Sequence, residues 1–199
     1  MQKQNIHRRE KRPREKLLHK VVQGLHSVFV KRLHGTSQIR SKDIYEASAV
    51  EERTFKRNFS GADDILYYTY EEIAGVFEEI SFIPDHTPNV QNCLEMLLIK
   101  LRQHDDALRV ALDRSDLVFW QETIAIIKPI IVYDWSYLSS EAIDLAYRAF
   151  SAIFIDELEK WESLDFSKDY IMDCVYFLLH ELRIIKDDWH YWKQRMDNQ

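Results

Sequence analysis

The chain has 199 residues, of which 46% are apolar, with only four glycines and four prolines. That apolar content can bury a substantial core in one large or two small domains. The scarcity of turn residues, and the lack of alternating β-branched runs bounded by glycine, exclude a sheet protein and leave a mostly helical one. The net charge of -6 conceals a division, because residues 1–60 hold 15 Lys or Arg against 6 Asp or Glu and the rest hold 12 against 27; a polyanion can bind the first third and is repelled by the remainder.

Residues 1–12, MQKQNIHRREKR, are polar and basic, and they read either as a solvated tail or as an arm reaching phosphates or a minor groove. Pro13 suits a helix start. Leu17, Leu18, Val21, Val22, Leu25, Val28, Phe29 and Leu33 then recur at three- and four-residue steps, a support helix that Gly35 stops. Ser41 is placed to cap an amphipathic helix running to Ser48, with Ile44 and Ala47 on one face. Val50 plugs the turn that follows. Phe55 and Phe59 share a face of a second short helix and leave Arg53, Lys56, Arg57 and Asn58 to project elsewhere. Two helices this short cannot bury their own apolar faces, so they dock on the support helix. The arrangement is that of a helix-turn-helix, whose second helix enters a DNA major groove.

Ser60 and Gly61 break the chain, and Asp63 and Asp64 open a helix running to about Phe82 that joins head to body. Pro84 and Pro88 frame a loop, and Asn89 caps a helix to about His104. Asp105–Leu112 reads as a short helix, with Arg114 and Ser115 as a break, and Asp116–Trp135 as one helix bent at Pro129. Ser139 caps a long helix to about Trp161, and a last helix starts near Ser167, which makes about nine in all. Both last helices are apolar over more than one stripe and need partners on two sides. That predicts a twofold dimer through a four-helix bundle, with Leu145, Ala149, Phe150, Ile153 and Phe154 of one helix and Val175, Leu178 and Leu182 of the other at the interface.

Cys93 and Cys174 sit in apolar helical surroundings and read as buried reduced thiols of a cytoplasmic protein. The basic N-terminus lacks a signal core, and the most apolar run, Ile124–Tyr133, is broken by Lys128 and Pro129 and too short for a bilayer, so no membrane association is expected. His86, His104, His180 and His190 match no ligand spacing, so no metal is expected. No nucleophile elbow or phosphate loop occurs, so neither catalysis nor a cofactor is expected.

The stretch IRSKDIYEASAVEERTFKRNF, followed by SGADDIL, resembles the DNA-binding signature of TetR/AcrR-family transcription regulators. Asp43, Ile44, Ala47, Val50, Thr54, Phe55, Arg57, Phe59, Asp64 and Leu66 fall in register with it. The chain departs from the family pattern at Ala49, where a turn glycine is usual; at Glu51, where a serine-type cap is usual; at Lys56 and Asn58, in place of an aromatic and a histidine; and at Ala62, in place of a phosphate-binding lysine. The resemblance implies an all-α protein with a three-helix DNA-binding head over residues 1–60 and a helical effector-binding and dimerisation body over 61–199.

Arg40, Ser41 and Lys42 lie at a helix start, where amides and a hydroxyl can hold a phosphate; by position Lys42 resembles a family residue that reads a guanine edge. Thr54, Lys56, Arg57 and Asn58 form the recognition comb, Asn suiting adenine and Thr a phosphate or thymine methyl. Glu52 and Arg53 face the groove floor or pair with each other. Family members bind a small apolar or amphipathic effector in the body, for which Tyr70, Met96, Trp120 and Ile124 are the candidate walls. The expected function is therefore a homodimeric, ligand-responsive repressor of a palindromic operator in double-stranded DNA. The alternative is a TetR-like protein-interaction or co-activator module whose head no longer reads sequence.

Overall fold

In helix α1 (Glu15–Arg32) the three- and four-residue apolar spacing becomes one buried face of Leu18, Val21, Val22, Leu25 and Val28. The computed structural model describes residues 15–32, 39–81, 89–114, 117–133, 135 and 138–197, and every regular element among them is helical. The basic arm 1–12, the start at Pro13, the stop at Gly35, the Pro84–Pro88 loop and the Ser115 break lie outside the described residues. By packing, the chain divides into two compact units, Met1–Tyr70 and Glu71–Gln199.

In the first unit, α2 (Ser41–Ala47) and α3 (Glu52–Asn58) follow α1, and the opening turns of α4 (Ala62–Ser81) complete it. Ile44, Phe55, Phe59 and Ile65 are all buried. An aromatic series runs through this core from Tyr45 to Phe55 (5.8 Å), on to Phe59 (5.4 Å) and then to Tyr68 (6.2 Å). Ser41 is the first helical residue rather than the cap, and Arg40 takes the cap position. The side chain that stabilises the end is Asp43, whose carboxylate accepts from the Arg40 backbone N–H at 3.1 Å.

α1 and α2 meet at Gly24, where a Cβ would lie 2.6 Å from Ser48 Cβ and 2.9 Å from the Ile44 carbonyl oxygen. Only a residue without a side chain permits that approach. The Ser48 hydroxyl, buried at the same crossing, donates to the Ile44 carbonyl at 2.8 Å, so the contact strands no polar group. Ala49 follows in the left-handed region at φ 51°. The turn thus keeps a conformation that favours glycine, without the glycine.

The second unit contains the end of α4 and α5 (Val90–Arg102), α6 (Asp105–Arg114), α7 (Leu117–Ala125), α8 (Lys128–Ile131), α9 (Ser140–Ser163) and α10 (Ile171–Asp197). Asn89 and Ser139 cap α5 and α9, their side chains accepting from the Asn92 and Ala142 backbone N–H groups at 3.1 and 3.2 Å. The bent helix expected over Asp116–Trp135 is instead two helices, and α7 stops at Ala125. Ala125 is the residue four before Pro129, where the ring would strike a helical carbonyl. Pro129 itself sits in the first turn of α8, where its missing N–H costs nothing.

α10 packs on α9 and α5, and α7 packs on α9. The expected helix start near Ser167 is instead a corner between α9 and α10, in which Asp165 and Phe166 adopt φ of 55° and 48°. Its hydrogen bonds hold it in place: Trp161 Nε1 donates to the Ser167 carbonyl at 2.8 Å and Arg102 Nε to the Phe166 carbonyl at 3.0 Å. The Arg109 guanidinium lies 4.6 Å from the centroid of the buried Phe166 ring and pairs with Asp165.

Candidate nucleic-acid interface

The outer faces of α2 and α3 are set by what their inner faces bury. With Ile44, Phe55 and Phe59 inside, Lys42, Arg53, Lys56 and Arg57 are left exposed and Thr54 and Asn58 half-buried. The side chains differ in how free they are. Lys56 is tied to Glu52 at 2.5 Å, a hydrogen bond and charge that raise its pKa above the ordinary lysine value. Glu52 therefore pairs with Lys56 rather than with its expected alternative, Arg53.

Lys42 lies 3.6 Å from Glu46, and the Arg40 guanidinium is 3.1 Å from Asp43. Arg53 and Arg57 make no ion pair with a described residue. Exposed pairs of this kind are screened by solvent and weak, so a phosphate can displace Glu46 or Glu52 at little cost. Asn58 Nδ2 donates to its own helix at the Thr54 carbonyl, 2.7 Å away, which leaves Oδ1 and one N–H for other partners.

Ser41 is half-buried, and a Cβ on Gly61 would lie 4.0 Å from its hydroxyl, so the starts of α2 and α4 are neighbours. Asp64 secures the second of these starts by accepting from both the Ser60 backbone N–H and hydroxyl at 2.7 Å. Tyr45 was not among the expected interface residues. It is half-buried against Phe55, and its position follows from the phenylalanine spacing on α3, which local reading of α2 does not reveal.

The residues expected around an effector are spread over both units. Tyr70 is half-buried at the end of the first; in the second, Met96 is exposed on α5, while Trp120 and Ile124 are fully buried on α7. Of the residues expected between subunits, Leu145 and Ala149 are exposed and Ile153 is half-buried. Phe150, Phe154, Val175, Leu178 and Leu182 are buried within the single chain, Phe154 lying 6.1 Å from Phe77 and 5.9 Å from Phe150. These five belong to the core of the single chain.

His104 Nδ1 lies 2.6 Å from Glu72 and His180 Nδ1 3.4 Å from Glu181, while His86 and the side chain of His190 lie outside the described residues. Among the described residues no group of three or more His, Cys, Asp or Glu could hold a metal, and no helix is long and apolar enough to cross a membrane.

No family model and no curated protein matches the chain. Among solved structures, it is similar to one described as a structural analysis of the fatty acid degradation regulator FadR from Bacillus halodurans. The identity is 15% and the TM-score 0.56, over 88% of this chain and 97% of that one. At that identity the similarity concerns the fold, and the chain has the all-helical fold of that regulator.

Proposed function

We propose that the chain is a DNA-binding transcriptional regulator that uses α3 as its recognition helix. The observation that carries the reading is an exposed Arg53, Lys56 and Arg57 on one short helix that buries Phe55, with Phe59 buried at its C-cap. Support comes from a docked α1–α2–α3 head in the basic third of the chain and from a fold similar to that of a regulator. Lys42 and Asn58 supply base-edge donors and acceptors; Arg40, Ser41, Thr54 and Arg57 supply phosphate contacts.

A homodimer follows from the same reading, since two heads bind a palindrome about one helical turn apart, roughly 34–36 Å. The acidic body holds an effector whose binding weakens the DNA complex, making the protein a repressor released by ligand; the effector acts only through its differential affinity for two states. The rival reading, a protein-interaction module with a head that no longer reads sequence, is favoured by Ala49, Lys56 and Ala62, where the family pattern has a turn glycine, an aromatic and a phosphate-binding lysine.

Fluorescence anisotropy on duplexes from the intergenic DNA beside the gene, compared with random duplex over a range of salt, separates the two. Selective binding whose affinity falls with salt by several counterions supports the regulator. Equal affinity for both duplexes at every salt concentration supports the rival.

A further inference from the structure

The indole Nε1–H of Trp120 is fully buried and has no hydrogen-bond partner among the described residues, whereas the equally buried Trp161 donates to the Ser167 carbonyl at 2.8 Å. Leaving such a donor unpaired forfeits its hydration with nothing in return, and buried polar groups without partners are rare enough to need an explanation. The residue is held in place from two directions. Phe119 meets its ring at 5.1 Å, and the Tyr147 hydroxyl of α9 donates to the Gln121 carbonyl at 2.9 Å, fixing the adjacent residue of α7 against α9.

Thr123 and Ile124, three and four residues on, share the buried face of α7 with Trp120. The face therefore presents one unengaged donor, one hydroxyl and otherwise apolar surface. From these observations we infer that Trp120 is the polar anchor of the effector site. The ligand is a neutral, largely apolar molecule carrying one hydrogen-bond acceptor, a carbonyl or an ester, that the indole N–H receives.

An indole can only donate, so the ligand group must accept. It must also be uncharged. Among the described residues of the Glu71–Gln199 unit the buried polar side chains are Thr123, Ser151 and Glu157, and none is a cation. Ser151 already donates to the Tyr147 carbonyl at 2.9 Å, and Glu157 accepts from Tyr170 at 2.5 Å. A carboxylate beside Trp120 would be desolvated without a counter-charge. Lys128 does not provide one, because it is engaged with Asp144 and lies over the Tyr147 ring.

The inference rests on the ligand-responsive reading of the body, and its test is arranged to fail separately from it. The full chain, isotope-labelled, is titrated by calorimetry and amide-region NMR with three probes of one chain length: methyl decanoate, decane and decanoate. The Trp120 indole resonance is identified by its loss in Trp120→Phe. Methyl decanoate should shift that resonance and bind about tenfold more tightly than either other probe, and the advantage over decane should vanish in the variant.

Equal affinities for ester and alkane in the wild type, tighter binding of decanoate, an advantage that persists in Trp120→Phe, or no binding of any probe would each overturn the assignment. The ester-against-alkane comparison needs no variant, so poor folding of Trp120→Phe would not protect the idea. DNA selectivity measured without any probe is expected to be the same for both proteins. Its absence in both would sink the regulator reading and leave the ligand result standing.

Discussion

At Ala49 a turn is built with a side chain where none is wanted. A non-glycine residue in the left-handed region carries roughly 1–2 kcal/mol of strain, and glycine removes it while adding about 0.4–1 kcal/mol of freedom to the unfolded chain. The first effect is larger, so Ala49→Gly should stabilise the protein by up to about 1 kcal/mol, read as a higher denaturation midpoint in urea. A lower midpoint would mean that the methyl group makes contacts that outweigh the strain. The two thiols make a pH statement of the same kind. Burial pushes Cys93 up to about 11 and Cys174 up to about 12 from an ordinary 9.0, Cys174 being raised also by the charge of Glu157. Above pH 9 the unfolded chain releases these protons while the folded chain keeps them, so stability falls as pH rises from about 9 towards 11, by at most about 1.4 kcal/mol per pH unit for each thiol. Cys93→Ala should flatten that slope, and an unchanged slope over pH 9–11 would show that the thiol is not shielded as described.

The crossing of α1 and α2 is governed by a single position. A methyl group on Gly24 would be pressed against Ser48 and against the Ile44 backbone, which has nowhere to move without displacing α2. Gly24→Ala gains up to about 1 kcal/mol of helix propensity but forces apart a packed contact costing about 1–3 kcal/mol. Net destabilisation of about 1–2 kcal/mol is expected by chemical denaturation, with DNA binding weakened because α2 positions α3; a more stable Gly24→Ala protein would refute the close approach. That glycine shows what sequence can and cannot convey. The Phe55–Phe59 spacing and the caps at Asn89 and Ser139 are local patterns, complete within a turn or two, and they are legible without coordinates. Gly24 reads locally as a weak spot in a helix, because its reason lies on α2. The ion pair on α3 is local as well: Glu52 and Lys56 stand four apart and share a helix face, whereas Arg53, one residue on, points away from Glu52, so the choice between them was readable from the helix period. The end of α7 at Ala125 was readable in principle from Pro129 four residues later, since the clash is a property of the proline ring.

Taken over the whole molecule, apolar stripes on α9 and α10 overstate the surface available to a partner, because sequence cannot say which stripe the chain itself consumes. The core takes Phe150, Phe154, Val175 and Leu178. What remains exposed is Leu145 (56%) with Ala149 and Ala152 at helical spacing on α9, and Tyr176 (57%) and Ile184 (41%) on α10. Phe177 beside them is exposed too, with the Lys160 ammonium 5.5 Å from its ring centroid. The proposed twofold contact is therefore best tested on this second stripe. Leu145→Glu puts a charge on a face that one chain leaves in water, where it costs that chain almost nothing but would be desolvated without a counter-charge at a dimer contact. It should halve the mass seen by light scattering while leaving a cooperative unfolding transition. Phe154→Glu, by contrast, places an unpaired carboxylate against Phe77 and Phe150 and should destabilise the subunit by several kcal/mol, so its failure to dimerise would carry no information about the interface. If Leu145→Glu and Ile184→Glu both keep the wild-type mass, α9 and α10 do not join the subunits, and two heads could then be presented to a palindrome only through some other contact.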